Sequence, residues 1–354
     1  MSETDADIEE LRASFRAVLE DAAGDIRRHV DAGAARCEPL CAKAAELGWF
    51  SLMTPEAFGG LGLGRAAAAA LYEELGRVIA PLPMMGAMIA TEIIAAHGDA
   101  AQKAAWLPRL AAGEGAALSA SGVAPNWDDS RFAAGALTGH ARELLDSDAA
   151  ALLVVAAREG DAARWVLAAA DGVTVETEEL VDRTRGLATA RFDNVQGAAL
   201  TADPDIVASD VLTHASLAIA CDSVGGAKAV LDLTVAYLKT REQFGKPIGS
   251  FQALKHRCAE HKVAIEAADA LVQEAVAHWA RNDPGVALLT PLAKALACDV
   301  YAAMATDAVQ LHGGIGFTWE HVCHLYLKRA KLNQALFGGS AAHRDLAARL
   351  LLAA

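Results

Sequence analysis

Arg241-Glu-Gln-Phe-Gly-Lys-Pro-Ile-Gly-Ser-Phe-Gln252, answered by Gln310-Leu-His-Gly-Gly-Ile-Gly-Phe-Thr-Trp-Glu320, decides how this chain is read. Each stretch joins helix-like sequence to a glycine turn. Together they offer a guanidinium, amide side chains, an aromatic ring and backbone N–H groups that no side chain covers. A dinucleotide's pyrophosphate and adenine call for that set of groups. Alone, R-x-x-F-G would read as a surface Arg, a helix-stopping Gly and a core Phe. Joined to Phe251-Gln252 and to Gln310-x-His-Gly-Gly314, it favours a cofactor.

The flanking sequence is helical. One helix is predicted over 209–242 and a second over 251–281, with Asn282-Asp-Pro-Gly285 as the break between the second and a third. The third runs to about 311, with Pro291 near its first turns, where proline is tolerated. Shorter helices follow near 320–333 and 341–352. Four helices of such length suggest an antiparallel bundle over 204–354.

Residues 1–115 also read as helices. Leu11, Phe15, Val18 and Leu19 recur at helical spacing, and Ala44, Leu47 and Phe50 do so less strongly. Pro55 to Gly64 is a loop, and helices to Arg77 and over Met84–His97 follow, with Gly98-Asp99 closing the last. The glycines of Gly59-Gly-Leu-Gly-Leu-Gly64 imitate a Rossmann fingerprint, but helical sequence on both sides removes the strand that motif needs. Between 116 and 203 the texture changes to a compact β domain. Ala149–Ala157 and Arg164–Ala169 are short apolar runs around Glu159-Gly160-Asp161, a hairpin signal. Val173–Val175 and Ala190–Asp193 continue it, with Asp171-Gly172 as a turn.

A chain of 354 residues accommodates two or three domains, and its 54% apolar content with only 5% aromatics favours packed helices. A net charge of −14 argues against nucleic acid or an anionic membrane as the main partner. The acidic start is no signal peptide, no unbroken apolar run reaches the roughly 20 residues of a bilayer span, and the cysteines at 37, 41, 221, 258, 298 and 323 show no CxxC unit. A cytoplasmic location with reduced thiols is expected. His321, Cys323 and His324 with Glu320 do not converge on one helix face, nor do His256 and His261, so packing or surface roles are expected there and no metal site. Cys37 and Cys41 lie one turn apart and are expected to pack.

The two opening stretches resemble the flavin-binding C-terminal domain of acyl-CoA dehydrogenases, and Pro55–Leu63 is similar to that family's "PEEYGGLGL" loop. The resemblance covers nearly the whole chain, most strongly 237–256 and 308–331. It implies an α+β, mainly α architecture: an N-terminal helical domain (1–115), a middle β domain (116–203) and a C-terminal four-helix bundle (204–354). It also implies that Arg241, Gln243, Phe244, Gln252, Gln310, Gly313 and Gly314 clasp the ADP half of an FAD held largely by a neighbouring subunit, hence an oligomer. The likeness weakens at Ser119–Ser130 and Gly139–Asp148, where the family's flavin-ring motifs lose their threonines, their Gly-Ser pair and a Trp. An empty or incomplete flavin-ring site is expected in this chain.

Dehydrogenation of an acyl thioester needs a carboxylate to take the α-proton while a hydride leaves from the β-carbon. In register with the family, that position before Gly338-Gly339-Ser340 is Phe337. Members that place the base on the first bundle helix would have it at Ala215 or Ser216, beside His214; Asp222, two turns on, is an outside candidate. The resemblance therefore points to the base-lacking subunit of an actinobacterial α2β2 acyl-CoA dehydrogenase of steroid side-chain catabolism. Its partner would be a homologous subunit carrying the catalytic Glu, its substrate an acyl-CoA and its electron acceptor electron-transfer flavoprotein. A homotetramer with an unrecognised base and a flavin-free assembly subunit are the alternatives.

Overall fold

The structure, a computed structural model, describes residues 3–120, 122–147 and 150–353. The expectations for Ser121, Asp148 and Ala149 lie outside the described residues. The chain divides into two compact units, one of residues 1–23, 69–80 and 216–354, the other of 24–68 and 81–215.

The first unit is helical. It holds α1 (Glu3–Asp21), the end of α4 (Gly64–Arg77), most of α7 (Pro204–Thr240), α8 (Gln252–Ala280), α9 (Val286–His312), α10 (Cys323–Ala335) and α11 (Ser340–Ala353). Helix α9 packs against α8, α10 and α11, and buries Ala293, Ala297, Tyr301, Ala305 and Ala308 at near four-residue intervals. By length and composition Val286–Phe317 would suffice to cross a bilayer, although Lys294, Asp299 and Asp307 interrupt its apolar run. Its setting is the bundle interior: Lys294 is fully buried within it. Helices α4 and α7 meet backbone to backbone because glycine stands on both. A β-carbon at Gly76 would sit 2.1 Å from the carbonyl oxygen of Asp222, and one at Gly225 would sit 1.9 Å from that of Glu73.

Buried charge in this unit is paired. Glu73 accepts from Lys228 Nζ at 2.8 Å and from Arg12, and Glu74 accepts from Arg16 at 2.7 and 2.9 Å. The same Lys228 reaches Asp269 at 2.7 Å. Deeper still, Arg329 clasps Asp222 with two bonds of 2.9 and 3.2 Å, and Asn333 Nδ2 donates to Asp222 Oδ1 at 2.7 Å and to Ser223 Oγ at 3.0 Å.

The second unit holds α2 (Ala23–Ala32), α3 (Glu38–Glu46), α5 (Met85–His97) and α6 (Ala100–Ala111), followed by the strands. Helix α3 stops before Leu47, short of the expected run to Phe50, because Gly48 turns left-handed (φ 75°) and starts a 3-10 turn at Trp49. Asp99 does more than end α5: it opens α6 in a capping box with Gln102, the two reciprocal bonds measuring 2.8 and 2.9 Å. In the otherwise apolar α5, Glu92 is held by Arg65 at 2.6 Å and by His214 Nδ1 at 2.5 Å.

The strands are β1 (Gly115–Ser119), β2 (Ser130–Ala133), β3 (Ala136–Leu145), β4 (Ala150–Glu159), β5 (Ala162–Ala169), β6 (Thr174–Thr177) and β7 (Leu187–Ala199). The β4–β5 hairpin has the expected turn, with Glu159 opposite Ala162. Strand β7 is longer than the short run read from the sequence, since it pairs with β3, β5 and β6 in turn. The pairings β1–β3–β7–β5–β4–β1 form a closed cycle, so the sheet curls round a core that includes Phe132, Leu137, Leu144, Val155, Val166 and Phe192.

Candidate functional site

Helix α7 ends at Thr240, and Arg241 begins a tight hairpin rather than a further turn of helix. Strands β8 (Glu242–Gln243) and β9 (Lys246–Pro247) pair across Phe244-Gly245, both at positive φ (54° and 76°), the signature of a two-residue hairpin turn. A phenylalanine is costly in that conformation, and here the ring is 88% exposed, touching Phe251 edge-on at 6.0 Å. Lys246 Nζ lies 4.4 Å over the same Phe251 ring. Gln252 is the first residue of α8, with its side chain exposed.

The second turn follows α9. Gly313 takes φ 65°, ψ −146°, a region open in practice to glycine alone, and β-carbons at Gly313 or Gly314 would meet empty space. Gln310, Gly313 and Gly314 are all exposed.

Tyr237, one turn before Arg241, brings the two segments together. Its ring stacks on His312 at 4.5 Å between centroids, and its hydroxyl donates to the His312 carbonyl at 3.3 Å. His312 is fixed by its own Nδ1–H, which donates to Ala308 O at 2.7 Å, and burial pushes its pKa down. His321 packs on His312 at 4.5 Å and accepts from Cys323 N at 3.2 Å, while His324 lies edge-on to Trp319. Among the described residues no three His, Cys, Asp or Glu side chains gather round a metal-sized space. The sequence reading missed Tyr237 and His312. The only available signal was an aromatic one turn before R-x-x-F-G and a His inside Q-x-x-G-G.

The expected base positions are of a different kind. Phe337 is 3% exposed and adopts φ 53°. The carbonyls on and after it are both held: His343 Nε2–H donates to Phe337 O at 2.9 Å, and Lys294 Nζ to Gly338 O at 2.5 Å. Ala215 and Ser216 are wholly buried on α7, with His214 tied to Glu92. The carboxylate of Asp222 is engaged by Arg329 and Asn333.

This turn gives the protein an acid-sensitive contact. Burial, helped by the nearby Lys294 charge, pushes His343 down to about 4. The folded value lies below the ordinary one of about 6.5, so the unfolded chain takes up the proton first as pH falls. The stability contribution is whole above about pH 6.5 and is lost towards pH 4, a total of roughly 3 kcal/mol. His343→Gln can still donate to Phe337 O and does not titrate. In urea unfolding, the stability lost between pH 7 and pH 4.5 should shrink by about 2 kcal/mol in this variant; an unchanged loss would contradict the assignment.

In the cysteines, burial raises the thiols, Cys41 to about 11 and Cys323 to about 12, and all six are unbridged.

Two acyl-CoA dehydrogenase family models match the chain, the N-terminal domain over residues 5–114 and the C-terminal domain over 206–352. The chain belongs to the acyl-CoA dehydrogenase family. These enzymes are oxidoreductases, and the stretch between the two matched segments carries strands β1–β7. The chain is 34% identical to acyl-CoA dehydrogenase IpdE2 of Mycolicibacterium smegmatis, over 83% of this chain and 81% of that protein. It is 36% identical to IpdE2 of Mycobacterium tuberculosis, over 80% and 77%. Among solved structures, a variant of the Tcur3481–Tcur3483 steroid acyl-CoA dehydrogenase superposes with a TM-score of 0.90 at 28% identity, covering 99% of each chain. The ChsE4–ChsE5 complex of M. tuberculosis shares the fold, with a TM-score of 0.89 at 21% identity over 100% of this chain and 98% of that one.

Proposed function

We propose that this chain is the base-lacking subunit of a heteromeric acyl-CoA dehydrogenase, gripping the ADP half of an FAD whose flavin ring works in a homologous partner. One observation carries the reading. Tyr237 and His312 set the two nucleotide turns side by side in a chain whose base position is a buried phenyl ring. The surface at these turns fits the nucleotide end of FAD. Arg241 supplies an exposed guanidinium, and Gly313 and Gly314 leave their backbone uncovered; Gln243, Gln252 and Gln310 supply amides, and Phe244 a ring face.

When bound, FAD supplies the acceptor for the β-hydride. The residues of this chain would bind and orient its nucleotide end, and the α-proton would pass to a carboxylate of the partner. Phe244, Phe317 and Trp319 are 88%, 72% and 49% exposed beside the turns, an apolar surface suited to cover by a second subunit. The likeness to steroid acyl-CoA dehydrogenases favours a bulky sterol side-chain thioester as substrate, oxidised to the trans-2-enoyl product, with electron-transfer flavoprotein as acceptor. A three-part division at 1–115, 116–203 and 204–354 and a cytoplasmic location belong to the same proposal.

Flavin stoichiometry tests it. Native mass spectrometry of the complex with the homologous partner should give two FAD per four chains; four FAD would mean that each chain holds its own.

A further inference from the structure

Helix α8 is covered on one side only. Ile265, Ala268, Val272, Val276 and Trp279 are buried, and the helix packs against α9. On the opposite side His256, Ala259, Val263, Ala267, Ala270 and Glu274 are all exposed. At about 100° per residue these six fall within about 40° of one line along the helix, over roughly 27 Å. The middle of that line is small and apolar, and its largest side chain, Val263, is 71% exposed.

The charges of α8 are sorted by sign. Residues 252–264 carry Lys255, Arg257 and Lys262 against Glu260 alone. Residues 265–280 carry Glu266, Asp269 and Glu274 and neither Lys nor Arg. A helix dipole favours the reverse order, acids first and bases last, so this arrangement does not serve α8 by itself. Within the chain Arg257 is taken by Asp307, and Asp269 by Lys228. Lys262 and Glu266 pair with each other at 2.5 Å, with side chains 60% and 55% exposed, and such a pair is worth little in water. Lys255 has no ion-pair partner among the described residues.

A second copy of α8 laid antiparallel on this face suits both the apolar line and the sorted charge. With Ala259 level with Ala270 of the other copy, Val263 comes level with the step from Glu266 to Ala267. In the same register Lys262 lies beside Glu266 of the other copy and Lys255 beside its Glu274, each contact made twice by symmetry. A parallel copy would instead set Lys255 on Lys255 and Glu266 on Glu266. The alanines let the two axes approach to about 8 Å. We propose that this face of α8 joins two copies of the chain antiparallel about a twofold axis, with Val263 at the centre of the contact. None of these residues belongs to the nucleotide grip, so the pairing stands apart from the flavin reading.

Sedimentation equilibrium of the full chain across a concentration series tests the face. The chain alone should form a dimer in reversible exchange with monomer. Val263→Arg places two guanidiniums at the centre of the contact and should weaken association ~100-fold. Lys262→Glu sets acid against Glu266 twice and should weaken it ~10-fold; adding Glu266→Lys to the same chain should bring it back to within ~3-fold of the parent. All three side chains are exposed, so the folded monomer should keep its thermal melt. A parent chain that stays monomeric, or associates only with a homologous subunit, would overturn the proposal. So would a Val263→Arg dimer as tight as the parent's, or a double variant no tighter than Lys262→Glu. If Val263→Arg fails to fold, the two charge variants decide it.

Discussion

Asp222→Ala should lower the unfolding free energy by about 3–5 kcal/mol, read from the urea midpoint at constant slope. The cost arises because Arg329, 2% exposed, would keep its charge with its bidentate acceptor gone, and Asn333 would lose one of its two acceptors. A domain of this kind has on the order of 5–15 kcal/mol in all, so the variant should express poorly or melt near ambient temperature. The double change Asp222→Leu with Arg329→Met removes both charges and should recover much of the loss. A single variant within about 1 kcal/mol of the parent would show that the pair is not structural, and would return Asp222 to the candidates for proton abstraction.

Arg241→Ala should have the opposite profile: a large effect on the cofactor and little on folding. Arg241 is exposed and its backbone, not its side chain, ties the hairpin, through Arg241 N to Tyr237 O and Ile248 N to Arg241 O. Loss of a charge-assisted bond to a pyrophosphate costs about 1.5–3 kcal/mol, so FAD should bind the complex with its partner roughly 10- to 100-fold more weakly. The measurement is flavin retained after gel filtration of the mixed complex, with the thermal melt as a control. Unchanged flavin content would remove Arg241 from the grip.

Local signals in the sequence carried much of the architecture. The Glu159-Gly160-Asp161 hairpin, the break at Asn282–Gly285 and the helix periods of α1, α8 and α9 each depend on neighbours within a turn or two, and each stands where its residues put it. What was hidden depends on pairing across distance. The closed cycle of strands joins β3 to β7 some fifty residues apart in sequence, and no pattern within either strand names its partner. Asp222, by sequence an outside candidate for the base, is held by Arg329 and Asn333, and nothing in the sequence around Tyr237 marks its stacking on His312. The two turns of the candidate site were legible, and the residues that bring them together were not. The first are marked by composition and turns, and the second only by contacts.

The absence of a proton-abstracting group is the claim on which the functional account rests. Purified by itself and supplied with FAD, an acyl-CoA and an artificial electron acceptor, the chain should hold little flavin and show no α,β-dehydrogenation. Addition of the homologous subunit should restore both. Turnover by the isolated chain with one tightly held FAD per polypeptide would contradict the account.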